Sequence, residues 1–343
     1  MGRSTTVVSP LVAALFAVLL ASCAGVVEGA PSVAGVGEPI YGLPVSDYSR
    51  VELAAAAAAR DIAPCSLLDE NLVASLGQVT AFGPVGDLST CHAELVPPRG
   101  TPANPVWVEV TVGEREPTEE TGAGEATAGI EVRPAVGALP GTCTLYFSLP
   151  PVAGVPADDA TAPGRWGHVS YLDGAGGTGD SAAGDDCAEA RIVLGSITGR
   201  LRTPVPLRSE IPLAQQDPCR VVEKMSGRGV ETFTPGSRPY ECLLTLRGGD
   251  AASVQLALSP EPSQTGGPEA VELDGKTFTY FRDTRECHYY FYPGAVFDTN
   301  LPSSPVSERD KRTNRLTASV AASAPSCDDA ETLVLAAAEM FDY

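Results

Sequence analysis

An α+β fold of two tandem related domains, each a small antiparallel sheet with flanking helices and two disulfides, is what this sequence predicts. Three observations carry that prediction. From Cys65 onward eight cysteines fall into two groups of four, with intervals of 26, 52 and 44 residues in the first and 23, 45 and 40 in the second. Period-2 apolar segments follow the second and third cysteine of each group, as half-buried strands require. Each group then closes on a cysteine, acids and an apolar run, Cys187-Ala-Glu-Ala-Arg-Ile-Val-Leu and Cys327-Asp-Asp-Ala-Glu-Thr-Leu-Val-Leu. Acids there suit the positive end of a helix dipole.

The elements follow in chain order. Arg3 precedes an apolar stretch over residues 7–20 that is too short to span a bilayer comfortably, so 1–22 reads as an export signal. It ends in Leu20-Ala21-Ser22-Cys23, which resembles the lipobox of bacterial lipoproteins, in which the cysteine thiol carries a diacylglyceryl group. That resemblance implies lipidation at Cys23 and a membrane partner reached through the lipid, with each buried methylene contributing about 0.8 kcal/mol. Residues 23–47, rich in Gly, Pro, Ala and Val, read as a lipidated tether. Ser46 and Asp47 then offer caps to a short alanine-rich helix ending at Arg60, expected on or near the first domain, 48–200.

In that domain Ser66-x-x-Asp69 resembles a capping box for one helix through Leu67, Leu68, Leu72 and Leu76, stopped by Gly77. Cys91, Ala93 and Leu95 alternate on one strand face, and Val106, Val108, Val110 and Val112 on another. Residues 201–216 read as a linker and 217–343 as the second domain. There Val221, Val222 and Met225 open a shorter helix before Gly227, and Cys242, Leu244 and Leu246 repeat the alternation. Cys143-Thr-Leu-Tyr-Phe and Cys287-His-Tyr-Tyr-Phe both put Phe four residues after the cysteine, on its own strand face.

An even set of cysteines in an exported chain favours disulfides. Four cysteines allow three pairings per domain. The expected set is Cys65 with Cys91, Cys143 with Cys187, Cys219 with Cys242 and Cys287 with Cys327, because each joins an end helix to a nearby strand across a short loop. Structural zinc is disfavoured: no C-x-x-C pair occurs, and only His92, His168 and His288 could supplement the thiolates.

A lipobox, a low-complexity tether, and Pro64-Cys65 and Asp217-Pro218-Cys219 each followed by a second cysteine about 25 residues on resemble the actinobacterial cell-envelope lipoproteins of uncharacterised function. The plan is also loosely similar to the extracellular sensor domains of mycobacterial serine/threonine kinases. The resemblance implies an extracytoplasmic address and no particular activity. Arg outnumbering Lys 20 to 3 is compatible with that origin.

Acids outnumber bases 43 to 23, a net charge of −20 that opposes phosphate backbones, so no nucleic-acid partner is expected. The imbalance is concentrated over residues 23–189, with 23 acids against 6 bases. No nucleophile elbow, H-E-x-x-H, S-x-x-K, phosphate loop or dinucleotide fingerprint occurs, so no catalysis, cofactor or resident metal is expected. His92 and His288 each follow a cysteine and read as strand-surface histidines facing away from the disulfide; His168, after Arg165-Trp166-Gly167, reads as a loop packing residue. The acidic pairs Asp158-Asp159 and Asp185-Asp186 lack the alternating spacing of a calcium loop.

The expected function is therefore binding or sensing at the extracytoplasmic face of the cell membrane, the alternatives being an envelope hydrolase with an unrecognised acid pair or a structural spacer. Eight of the 21 aromatic residues lie between Phe278 and Phe297. His288, Tyr290 and Tyr292 point away from the cysteine's face there and form the expected binding surface for an envelope protein or glycan, unless a helix over 332–340 covers them.

Overall fold

The computed structural model describes residues 38–84, 86–98, 105–117, 121–127, 129–136, 141–151, 165–173, 186–202, 209–225, 227, 229–260, 269–294, 296–298 and 315–342. Cys23, the signal and most of the tether lie outside them, as do Asp158, Asp159 and Asp185. Among the described residues no helix is long and apolar enough to cross a membrane.

Helix α1 (Asp47–Arg60) comes first, with the Ser46 hydroxyl accepting from the Ser49 N–H as its N-cap. Two short helices follow, α2 (Pro64–Leu67) and α3 (Glu70–Leu76), rather than the single one expected. The reason is Asp69: its carboxylate accepts from the Asn71 and Leu72 N–H groups and caps α3, while Leu68 is extended. Ser66 donates back to the Ala63 carbonyl and caps nothing.

The first sheet contains β1 (Gln78–Pro84), β2 (Thr90–Val96), β3 (Val106–Glu114), β4 (Glu125–Thr127), β5 (Ile130–Pro134), β6 (Thr142–Ser148) and β7 (Trp166–Asp173), antiparallel in the order β1-β2-β3-β7-β6-β5-β4. Helix α4 (Asp186–Leu201) packs on β6 and β7, and α2 and α3 cover β1 to β3.

The second copy opens with two 3₁₀ turns, Pro212–Gln215 and Pro218–Val221, and α5 (Val222–Met225). Strands β8 (Val230–Pro235), β9 (Glu241–Leu246), β10 (Ala251–Pro260), β11 (Glu269–Leu273), β12 (Lys276–Arg282), β13 (Cys287–Phe291), β14 (Val296–Asp298) and β15 (Arg315–Ala324) follow, then α6 (Cys327–Phe341). Their order is β8-β9-β10-β15-β13-β12-β11, with β14 added against β15. This is the path of the first sheet, strand for strand.

The register agrees as well. One row of paired residues crosses the first sheet as Pro84, Cys91, Val110, Val169, Leu145 and Pro134. Counting from the matching cysteines, the second sheet has Pro235, Cys242, Val254, Ala322, Tyr289 and Tyr280 in the same row. Even the β-bulge recurs, between Val79 and Ala81 in β1 and between Val230 and Thr232 in β8. The four disulfides join Cys65 to Cys91, Cys143 to Cys187, Cys219 to Cys242 and Cys287 to Cys327, with Cα atoms 4.9 to 5.2 Å apart. Each pins a helix or helical turn to the buried face of its sheet.

Three boundaries differ from the sequence reading. Helix α1 does not belong to the first copy alone: Val45 and Leu53 are buried in the second copy's core, and Ile40, Tyr41 and Leu43 pack against it. The tether therefore ends before Ile40. The second half of the expected linker is core as well, because Leu213 and Ala214 are fully buried there and the Ala214 carbonyl accepts from the Tyr240 hydroxyl. An apolar residue in a short polar stretch carries no period, so only the packing reveals it.

Both sheets belong to one compact unit. The turn between β1 and β2 reaches the second copy, where Leu88 is buried, Asp87 bridges to Ala257 and the Gly86 carbonyl accepts from Leu258. The equivalent turn between β8 and β9 reaches the first copy, where the Pro239 carbonyl accepts from Arg60 at 2.7 Å. Asp87 and Arg238, four residues before the matching cysteines, form an ion pair between the two turns. Arg60 also pairs with Asp217 at 2.9 Å, and Thr234 donates to Glu52 at 2.6 Å.

Candidate functional site

Each sheet buries one face under helices and turns the other outward. On the outward face of the first sheet, β3 and β7 bring His168 between two carboxylates. Its Nδ1 lies 2.6 Å from Glu114 Oε2 and its Nε2 3.5 Å from Glu109 Oε1. Burial works to lower the His168 pKa, but hydrogen bonds to Glu109 and Glu114, reinforced by their charges, outweigh it and push the pKa up to about 9. The same hydrogen bond from His168 holds Glu109 below the usual carboxylate range against its own burial. His92, one strand over, is lowered by burial, with Glu109 and Glu94 opposing. Tyr146 on β6 meets the His168 ring edge-on at 5.8 Å.

His168 is thus a strand residue and not the loop residue that Trp166-Gly167 suggested. Gly167 sits inside β7 because a Cβ there would lie 2.6 Å from the Thr111 carbonyl oxygen and 2.7 Å from the Phe147 ring.

The matching positions of the second copy act as an internal control. By the shared register, Glu109 corresponds to Ser253, His168 to Ala321, His92 to Leu243 and Arg133 to Thr279, whereas Tyr146 corresponds to Tyr290. The two copies share the tyrosine, and the titratable cluster belongs to the first alone.

A cleft of about 340 Å³ lies beside this cluster, between the copies, lined by Glu114, Arg115, Glu116, Tyr146, Ser237 and Arg238 among others. Arg115 also lines a second, larger hollow with Tyr48, Glu52, Thr232, Thr234 and Leu243. A buried carboxylate lies behind each arginine, in close contact with Arg238 and 3.9 Å from Arg115. Arg115 is 48% exposed above Glu52, which is 3% exposed, and Arg238 is 50% exposed above Asp87, which is 10% exposed. Glu116 is engaged by Arg133 at 2.7 Å, and Arg133 also stacks over Trp166.

His288 and Tyr290 lie on the outward face of the second sheet, as β13's alternation requires, and Tyr292 follows the end of that strand. All three are half-buried. His288 lies 3.4 Å from Asp283 and 5.9 Å, ring to ring, from the exposed Phe281. Helix α6 does not cover them. It packs through Cys327, Leu333 and Val334 on the opposite face, where Tyr289 and Phe291 are buried. The sequence reading missed Glu109, Glu114, Arg115, Tyr146 and Arg238. The signal it passed over was Gly113-Glu-Arg-Glu116, a charged run that breaks the apolar alternation of β3.

Among the described residues no group of three or more His, Cys, Asp and Glu side chains converges as a metal site would. In comparisons with known proteins, no family model, no curated sequence and no solved structure matches this chain.

Proposed function

We propose that this chain is a lipid-anchored binding or sensing lipoprotein on the extracytoplasmic face of the cell membrane, one that holds its ligand in the cleft between its two copies without catalysis. The observation that carries the reading is the cleft itself: two half-exposed guanidinium groups, Arg238 held by the buried Asp87 and Arg115 beside the buried Glu52, line one hollow with a tyrosine. Pre-fixed polar groups in a concavity are what recognition requires. The lipobox at Cys23 and four disulfides support an exported, anchored address. A general base works best near the operating pH, and a His168 that stays protonated to about pH 9 is a fixed cation instead.

A second reading places an envelope protein or glycan on His288, Tyr290 and Tyr292, favoured by the exposed Phe281 beside them.

Two experiments test the proposal. Cys23→Ala should move the protein out of the membrane fraction or leave it unprocessed, and continued lipid labelling of that variant would refute the anchor. Affinity capture from the native envelope should give one reproducible partner that Arg115→Ala loses and Tyr290→Ala/Tyr292→Ala retains. The reverse pattern would transfer the site to the second sheet.

A further inference from the structure

The lining of the cleft also points to a class of ligand. Cations and anions alternate along it: Glu114, Arg115 and Glu116 run consecutively at the end of β3, with Arg238 and Ser237 opposite and Tyr146 alongside. Each charge has a partner behind it. Glu114 faces His168, Glu116 faces Arg133, Arg115 faces Glu52, and Arg238 faces Asp87. Such pairing leaves little net field to attract a simple anion or cation, but the close pairs fix the directions in which Glu114, Glu116 and Arg238 point. A ligand that satisfies such a wall carries both signs within one small molecule.

Size narrows the class further. About 340 Å³ is at the low end of ligand cavities and holds a short peptide. Arg115 is the hinge of the site because it lines both hollows, and its pairing with Glu52 is long, at 3.9 Å, so its fork is available to a bidentate acceptor. Beyond Arg115 the second hollow offers Tyr48 and Leu243, both well exposed, and the hydroxyls of Thr232 and Thr234. That surface accepts apolar side chains and a hydrogen-bonding backbone.

We infer that the cleft binds a short zwitterionic peptide, its carboxylate on the Arg115 guanidinium and its ammonium toward Glu114, Glu116 and the Tyr146 ring. This inference rests on the cleft reading above and adds the ligand class.

The test is titration calorimetry on the full chain in detergent, with trialanine, its C-terminal amide and its N-acetyl form as probes and with the N-acetylglucosamine trimer as a glycan control. Trialanine should bind. Amidation should weaken it about tenfold or more, the scale of one lost charge-assisted hydrogen-bond pair, and acetylation should weaken it by a smaller factor. Arg115→Ala should reproduce the loss caused by amidation, and Arg115→Lys should restore part of it. The comparison between acid and amide needs no variant, so it stands even if a substitution disturbs folding. Equal affinity for acid and amide, binding of the sugar trimer in place of trialanine, or no binding of trialanine would overturn the inference. In each of those cases an envelope partner still lost on Arg115→Ala would leave the cleft reading intact, and loss of that capture result as well would remove both.

Discussion

His168 shows how one residue's surroundings set its chemistry. Its folded-state pKa of about 9 stands above the ordinary 6.5, so the folded protein holds the imidazole proton more tightly than the unfolded chain does. The stabilisation is fully present below about pH 6.5 and is lost as the pH rises through about 9. Glu109 works on the other side: its lowered pKa adds stability above the ordinary carboxylate value that disappears on acidification. The urea midpoint should therefore fall between pH 6.5 and 9.5, and His168→Gln should flatten that fall while lowering the midpoint at pH 6. An unchanged slope in the variant would contradict the assignment. Gly113 makes a separate prediction. It holds φ at +83°, and a Cβ there would lie 2.6 Å from the Pro239 ring of the other copy. Gly113→Ala should cost roughly 1–3 kcal/mol, read as a shift in denaturation midpoint, since both backbone strain and overpacking act there.

At the level of elements, α1 decides how separable the copies are. Leu53 on this helix is buried in the second copy's core, although the helix precedes the first in sequence. Leu53→Ala should cost about 2–5 kcal/mol, as large-to-small core changes do. A fragment of residues 209–343 should bind a hydrophobic dye and unfold at much lower urea than the whole chain, because it lacks the residues from Ile40 to Leu53 that pack on its core. A fragment as stable as the parent would show that α1 is dispensable. The strands beside the second and third cysteine of each copy were legible in the sequence, because period-2 alternation is a local signal. Strand β7, read as a loop around His168, was not, and cysteine spacing favoured the observed disulfide pairing without excluding the other two in each copy. The placement of α1 and of Leu213 was not legible either, since an alanine-rich helix and a four-residue turn advertise no preferred partner. The position of the charged cleft was equally hidden. It arises where the end of β3 meets the turn before β9, two segments more than 100 residues apart in the chain.

For the molecule as a whole, the contacts between the copies are reciprocal, of the kind a two-fold axis produces in a homodimer. The turn around Asp87 touches Ala257, and the turn around Arg238 approaches Gly113, each three residues beyond the matching Val254 and Val110. In two identical chains residues 87 and 238 would carry the same charge and repel. Here they are opposite and paired, so the contact between the two turns is directed and not symmetric. Charge reversal should show this: Asp87→Arg should lower the thermal midpoint by several degrees, and adding Arg238→Asp should recover most of that loss, as measured by calorimetry. The His168 cluster is asymmetric too: at the matching positions the second copy has Ala321, Ser253 and Leu243.

The most direct test of the claim that function resides in the charged cleft is hydrogen exchange of the full chain with and without the partner that affinity capture returns. The account predicts slowed exchange of amides around 113–117, 144–147 and 236–238, with 287–292 unchanged; protection confined to 287–292 would contradict it.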